Sequence, residues 1–388
     1  MNSTEKSRLG SARKSAWSQV QSLMSLGEMV NFEREFWKER TKISNTKTKV
    51  FIIGLGNVGS CVYTMLKDME KFDVIGVSNS RGYIYEKDGL IEDSDVYRKK
   101  LYSEQMEKNS LSLAELLEFC SNHLSNCILV DTTSSDKIVQ WYPTFIKQNI
   151  PFVVANKKGL SGNITLFNRL IEAYRNKLFR YETTVCAGLP VLDTLCSLIK
   201  ANHTITKIEG ILSGTCNFVC TQLETDKHTF STIIKNALEK GITEPHPYDD
   251  LCGMDVARKL LILARCCGET IGLDDIEVEP IVPLQRKDVS VYLEECSQFD
   301  EEFSSYNKLD NSKVKYIATY DNCQKQNKYT IKKQTITQDH PFYSVNNTLN
   351  VVAIYTNIYT QPLVISGFGA GIGATAAGVV SDIVKLCA

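Results

Sequence analysis

Lys49-Val-Phe-Ile-Ile-Gly54-Leu-Gly-Asn-Val-Gly59 is the stretch whose reading decides the fold. Its first half is an apolar run with strand character. Gly54, Gly56 and Gly59 follow in the spacing Gly-x-Gly-x-x-Gly, and Ser60–Met69 then reads as a helix. Alone, that glycine pattern is weak. Between an apolar strand and a helix it is a dinucleotide fingerprint. The glycines permit a tight turn and close approach of a pyrophosphate, which rests on the exposed N–H groups that open the helix, here around Asn57, Val58 and Gly59.

Working outward, strands and helices alternate. Phe72–Ser78 reads as a second strand, Cys127–Val130 as a third ending in Asp131-Thr-Thr-Ser-Ser135, and Pro151–Ala155 as a fourth ending at Asn156-Lys-Lys-Gly159. Leu111–His123 and Asp136–Gln148 read as helices, with Pro143 a kink or an end. This alternation predicts an α/β, Rossmann-type parallel sheet covered on both faces. Beyond residue 185 the texture changes. Leu189–Ile199, Phe230–Lys240 (stopped by Gly241) and Asp255–Cys267 read as helices. Ile205–Leu212, Val314–Tyr320, Lys328–Thr335 and Leu349–Thr356 read as strands, the last three of an antiparallel sheet. A second, α+β lobe is expected, and the tail Gly367–Leu386 is glycine-rich before a small-residue helix.

At 388 residues the chain suits two lobes. A net charge of −1 gives no broad electrostatic reason to expect nucleic acid or a membrane surface as partner. The apolar runs are too short to span a bilayer. Thirteen cysteines, none in a Cys-x-x-Cys, read as reduced thiols of a cytoplasmic protein, and no Cys/His cluster has zinc-ligand spacing. Residues 1–48 form an N-terminal extension, with an amphipathic helix possible from Trp17 to Trp37. Its Ser-rich, basic start reads either as a solvated or interface arm or as an organellar targeting segment.

Residues 241–259 carry the densest chemistry: Gly-Ile-Thr-Glu-Pro-His-Pro-Tyr-Asp-Asp-Leu-Cys-Gly-Met-Asp-Val-Ala-Arg-Lys. Asp255 and Lys259 lie four apart and share one helix face. In isolation such a pair is commonly a surface salt bridge. Beside the carboxylates of Glu244, Asp249 and Asp250 it suits proton transfer to a small polar substrate. Thr133 and Lys157 fall at the carboxyl ends of strands, which line the ligand crevice of an open α/β sheet. The second strand ends Val77-Ser-Asn-Ser-Arg81 without the acid that usually holds a ribose. Arg81 could meet a 2′-phosphate, favouring NADP over NAD, or be a solvated loop residue. Tyr181–Pro190 is either a domain hinge or irregular backbone whose carbonyls bind a cation.

Together these pieces resemble homoserine dehydrogenase from about Val50 onward, and are similar to the dehydrogenase half of bifunctional aspartate kinase–homoserine dehydrogenases without the kinase half. The family signature is met in order by Ala237, Gly241, Pro247, Asp250, Gly253, Asp255 and Lys259. The resemblance implies a nucleotide-binding domain at 49–185, completed by 362–388, and a catalytic and dimerisation domain at 186–361. It places the proton-transferring lysine on Lys259, supported by Asp255, and the second active-site lysine on Lys157. Substrate binding falls on Glu244, Asp250 and Thr215. Cofactor binding falls on Gly54, Gly56, Asn57, Val58, Gly59, Arg81, Thr133, Lys157 and Gly371. A structural sodium would be held by backbone oxygens of Glu182, Val185, Ala187 and Leu189. Implied partners are homoserine and aspartate semialdehyde, with a second copy of the chain as a homodimer. His246 and Tyr248 depart from the signature, and His246 reads as a turn cap.

These readings predict that Lys157 and Lys259 converge on one substrate oxygen, and that their mutual repulsion makes one titrate well below its free value. The rival reading is an NADP-binding regulator without catalysis.

Overall fold

Thr48–Ile53 (β1) lies inside a six-stranded sheet, flanked by Phe72–Ser78 (β2) and Cys127–Asp131 (β4). The computed structural model describes residues 47–103, 127–225, 228–306, 311–326 and 328–387. The N-terminal extension up to residue 46 and the helix expected over Leu111–His123 lie outside these described residues. With Tyr83–Tyr85 (β3), Phe152–Val154 (β5) and Phe179–Arg180 (β6), the strand order is β3-β2-β1-β4-β5-β6. All neighbours are parallel except β3, a short antiparallel edge on β2. The order reverses between β1 and β4, so the carboxyl ends of these strands open the crevice where ligands bind in such sheets.

The uninterrupted apolar run of β1 follows from burial on both faces. Val50 and Ile52 pack with Val62 and Leu66 of the helix Asn57–Lys67, while Phe51 and Ile53 join Tyr142, Phe152 and Phe167 on the other face. All four are essentially inaccessible, each contributing about 1.5–3 kcal/mol of burial. The single helix expected over Asp136–Gln148 is two, Asp136–Val139 and Tyr142–Lys147. Pro143 sits in the first turn of the second, where a missing N–H costs nothing. A helix that had gone unread, Ile164–Arg175, is capped by Asn163, which accepts from the N–H groups of Thr165 and Leu166.

The second sheet runs β12-β11-β7-β9-β10-β8, from Ile205–Ile211 (β7), Glu277–Val278 (β8), Ser312–Asp321 (β9), Tyr329–Thr337 (β10), Asn350–Thr356 (β11) and Leu363–Gly367 (β12). Its pairings are antiparallel save β8 with β10. One face packs on the helices Gly214–Thr225 and Met254–Cys266 through Ile208, Ala318 and Val352. The other is covered by Phe342 and Val345. Segment 362–388 divides. β12 belongs to the second sheet, a correction to the boundary expected at 362, because its backbone pairs with β11. The helix Ile372–Leu386 instead sets Ala376, Val379 and Ile383 against Val50 and Ile52 of β1. No helix among the described residues is long and apolar enough to cross a membrane.

Candidate active site

The glycine turn is pinned from both sides. The amides of Gly54 and Leu55 donate to Ser78 O at 2.9 and 2.8 Å, and the Thr132 hydroxyl donates to Gly54 O at 2.7 Å. Gly54 has φ +100°, and a Cβ there would stand 2.6 Å from Thr133 Cγ2, so only glycine fits. Gly56 caps the helix Asn57–Lys67 without a side-chain cap, and a Cβ built on it meets nothing within 4 Å. Gly56 and Asn57 are exposed, and the opening amides at Asn57, Val58 and Gly59 have no intrahelical acceptor. That arrangement fits a dinucleotide pyrophosphate. Arg81, just past β2, is exposed and stacks on Tyr102, 5.1 Å to the ring centroid. Gly371 begins the helix Ile372–Leu386 with φ +110°.

At the ends of β4 and β5 a buried carboxylate organises two loops. Asp131 accepts from the Tyr142 hydroxyl at 2.6 Å, Asn156 Nδ2 at 3.2 Å and the Thr133 amide at 2.8 Å. Asn156 also donates to Ser135 O and accepts from the Lys158 amide. Thr133 is thereby held against Gly54, and Lys157 is fixed next to Asn156. Burial pushes the Asp131 carboxyl up despite these donors. Tyr142 carries no sequence signal for this role, whereas Thr132 and Asn156 lay within the polar strand-end clusters.

Lys157 and Lys259 meet at Asp255. Lys157 Nζ lies 3.3 Å from Asp255 Oδ1 and Lys259 Nζ 2.9 Å from Oδ2. Lys259 also donates to Leu212 O at 2.7 Å, leaving one N–H of its ammonium for another acceptor. The Lys259 side chain is only 10% exposed, against 32% for Lys157. One of the two lysines is expected to titrate low, and Lys259 is not that one. Burial alone would depress it, but the Asp255 charge outweighs burial and holds it above its ordinary value. Reciprocally, burial would raise Asp255, yet Lys259 and then Lys157 hold it well below the usual carboxylate range. At Lys259 the anion decides the sign.

Glycine sets where this helix begins. Gly253 has φ +77°, and a Cβ there would lie 2.4 Å from the Tyr316 hydroxyl. Asp255 sits in the first turn of Met254–Cys266, where the helix dipole favours an anion. The preceding loop is braced by Asp250, whose Oδ2 accepts from the Glu244 amide at 2.8 Å. Burial pushes Asp250 up to about 6. Thr215 donates to Ile242 O at 3.0 Å close to the Asp250 carboxyl, and it lies three residues past the Leu212 carbonyl that holds Lys259. Glu244 is exposed, and Asp249 pairs with Arg286. His246 is buried, contacts Lys287 O through Nε2 at 2.6 Å and accepts the Tyr248 amide at Nδ1. It caps the turn.

Between the lobes' sheets in sequence, Glu182–Thr184 forms a short 3-10 turn, and Cys186 and Ala187 follow with φ of +57° and +51°. Left-handed steps turn successive carbonyls away from a regular ladder. The carbonyls of Glu182 and Leu189 each accept one amide, from Val185 and Val191, and keep a second lone pair. Such oxygens fit a hard cation. The Cys186 thiol instead faces Asn350 Nδ2, at 3.6 Å. The Glu182 carboxylate accepts from the amides of Leu192 and Asp193 at 2.7 and 2.8 Å, anchoring the loop to the helix Val191–Lys200.

A Rossmann-type sheet with an open glycine turn, and a lysine–carboxylate–lysine array at its strand ends, defines an NAD(P)-binding oxidoreductase. Comparison with known proteins narrows the class. Residues 54–183 match the family profile described as homoserine dehydrogenase, NAD binding domain, and residues 190–384 match that described as homoserine dehydrogenase. The chain is 33% identical to the homoserine dehydrogenase of Schizosaccharomyces pombe, over 88% of this chain and 96% of that one. It is 35% identical to the bifunctional aspartokinase/homoserine dehydrogenase of Buchnera aphidicola, over 89% of this chain but only 44% of that longer protein. A solved Candida auris structure, described as a protein of unknown function, superposes with a TM-score of 0.78 at 32% identity, covering 88% of this chain and 98% of that one. The chain belongs to the homoserine dehydrogenase family.

Proposed function

We propose that this chain interconverts L-homoserine and L-aspartate 4-semialdehyde with NADP as the preferred dinucleotide, a step toward threonine, methionine and isoleucine. The observation that carries the reading is Asp255 bridging Lys157 and Lys259 at the strand ends beside the glycine turn. The substrate's ammonium is placed at Glu244 and Asp250, near Thr215, and its side-chain oxygen between the two lysines. A bound dinucleotide supplies the hydride acceptor or donor. Because Asp255 favours the charged form of Lys259, the resting chain is set for reduction: the ammonium polarises the aldehyde oxygen and gives it a proton. Oxidation of homoserine requires that proton to leave first, so its rate rises as pH climbs toward the raised value of Lys259.

The nucleotide is assigned to Gly54, Gly56, Asn57, Val58, Gly59, Thr133 and Gly371, with Arg81 at the 2′-phosphate. A sodium ion on the carbonyls of Glu182, Val185, Ala187 and Leu189 would stiffen the loop. The protein is taken as a cytoplasmic homodimer, consistent with the exposed Val364 on edge strand β12 and the exposed Phe368 nearby. Initial rates with L-homoserine and each oxidised dinucleotide test the reading. Saturable turnover, faster with NADP+ than NAD+, is expected. Nucleotide binding without turnover on either would mark a binding protein and end the catalytic reading.

A further inference from the structure

Two thiols share one phenol beneath the active site. The Tyr181 hydroxyl lies 3.4 Å from Cys266 Sγ and 3.8 Å from Cys196 Sγ. The cysteines come from separate helices. Cys196 is in the middle of Val191–Lys200, the helix anchored by Glu182, and Cys266 is the last residue of Met254–Cys266, two turns beyond Lys259. Both are half-buried, whereas Cys127, Cys186, Cys216, Cys220 and Cys296 are buried. We propose that Cys196 and Cys266 are a peroxide-responsive dithiol that closes into an intrachain disulfide, tying the Lys259 helix to the Glu182-anchored helix.

The roles of the two sulfurs follow from their surroundings. A hydrogen bond from Cys266 is the main reason the Cys196 thiol is pulled down to about 7, with help from Tyr181 and Lys200. Cys266 is held well up by that same bond and by burial. Cys196 is therefore the nucleophile and Cys266 the resolving thiol. The Cys196 thiolate attacks one oxygen of hydrogen peroxide. The O–O bond breaks, hydroxide leaves and is protonated to water, and the sulfur is oxidised to a sulfenic acid. The Cys266 sulfur then attacks the Cys196 sulfur. An S–S bond forms, the S–O bond breaks, and the departing hydroxide takes the Cys266 proton as a second water. Two thiols and one peroxide become one disulfide and two waters. In a reducing compartment such a bond is transient, which is the behaviour of a sensor rather than a structural staple.

The test uses the full chain, fully reduced, then exposed to stoichiometric hydrogen peroxide, alkylated and mapped without reduction by mass spectrometry. A peptide linked through Cys196 and Cys266, reversed by dithiothreitol, is expected. In Cys266→Ser the link should vanish and a dimedone-reactive sulfenic acid should accumulate at Cys196. Oxidised wild type should unfold roughly 3 °C or more above reduced wild type, a shift lost in Cys196→Ser. Oxidation confined to exposed Cys323, or a link from Cys196 to the adjacent Cys267, would overturn the assignment. The wild-type map decides this without relying on any variant.

Discussion

The loop after β5 and the helix Met254–Cys266 both deliver a lysine to Asp255, but they hold it differently. Lys157 stands on a loop fixed at its base by Asn156 and Asp131, while its side chain is one-third exposed and pairs with one oxygen of Asp255. Lys259 projects from a buried helix face and is held at its tip by Leu212 O and Asp255. A loop base fixed by hydrogen bonds sets position and leaves the tip free to follow a ligand. A helix with a paired tip sets charge. In the proposed reaction the two regions divide the work, one suited to orienting a substrate oxygen and the other to holding the proton that oxygen exchanges.

The largest effect expected from breaking this division is at Lys259. Lys259→Ala should lower kcat by roughly 10³-fold or more, the upper part of the range for a proton-transfer group, while nucleotide affinity by fluorescence titration stays near wild type. Lys157→Ala should cost less, roughly 10²-fold, and show partly as a raised homoserine KM. Equal losses in the two variants would erase the distinction. Asp255→Asn sharpens it through pH. Removing the anion that stabilises the Lys259 ammonium lowers that lysine's pKa, so the neutral amine appears at lower pH. The alkaline rise of homoserine oxidation should move down by about one pH unit or more, read from kcat against pH. The smallest effect belongs to the loop base. Asn156→Ala removes bonds to Asp131 and Ser135 at a buried position, and should cost about 1–3 kcal/mol in urea unfolding with only a several-fold fall in rate.

The two regions also differ in how much their residues disclosed. The β1–glycine–helix run is local, so periodicity and turn chemistry announced it, and the Asp255–Lys259 pair followed from helical spacing. The convergence of Lys157 and Lys259 was legible only through family resemblance. That Lys157 also pairs with Asp255 was not, because the contact joins residues far apart in the chain, and the expectation of one low-titrating lysine did not include that shared anion. Gly214–Thr225 escaped as a helix because Asn217 and Thr221 are polar yet buried on its inner face, blurring the apolar stripe. Strands β6 and β8, of two residues each, are too short to show any alternation. The Ile164–Arg175 helix had a readable start in Asn163 that composition alone did not bring forward.

The return of Ile372–Leu386 to cover Val50 and Ile52 has a consequence for synthesis. On the ribosome, β1 emerges before the helix that shields one of its faces, with every strand of the second sheet between them. That face stays uncovered while the entire second sheet is made, so the nucleotide-binding half cannot finish folding before the second sheet has been synthesised. Contacts of such long sequence separation slow folding, and nascent chains halted before residue 372 should engage holding chaperones.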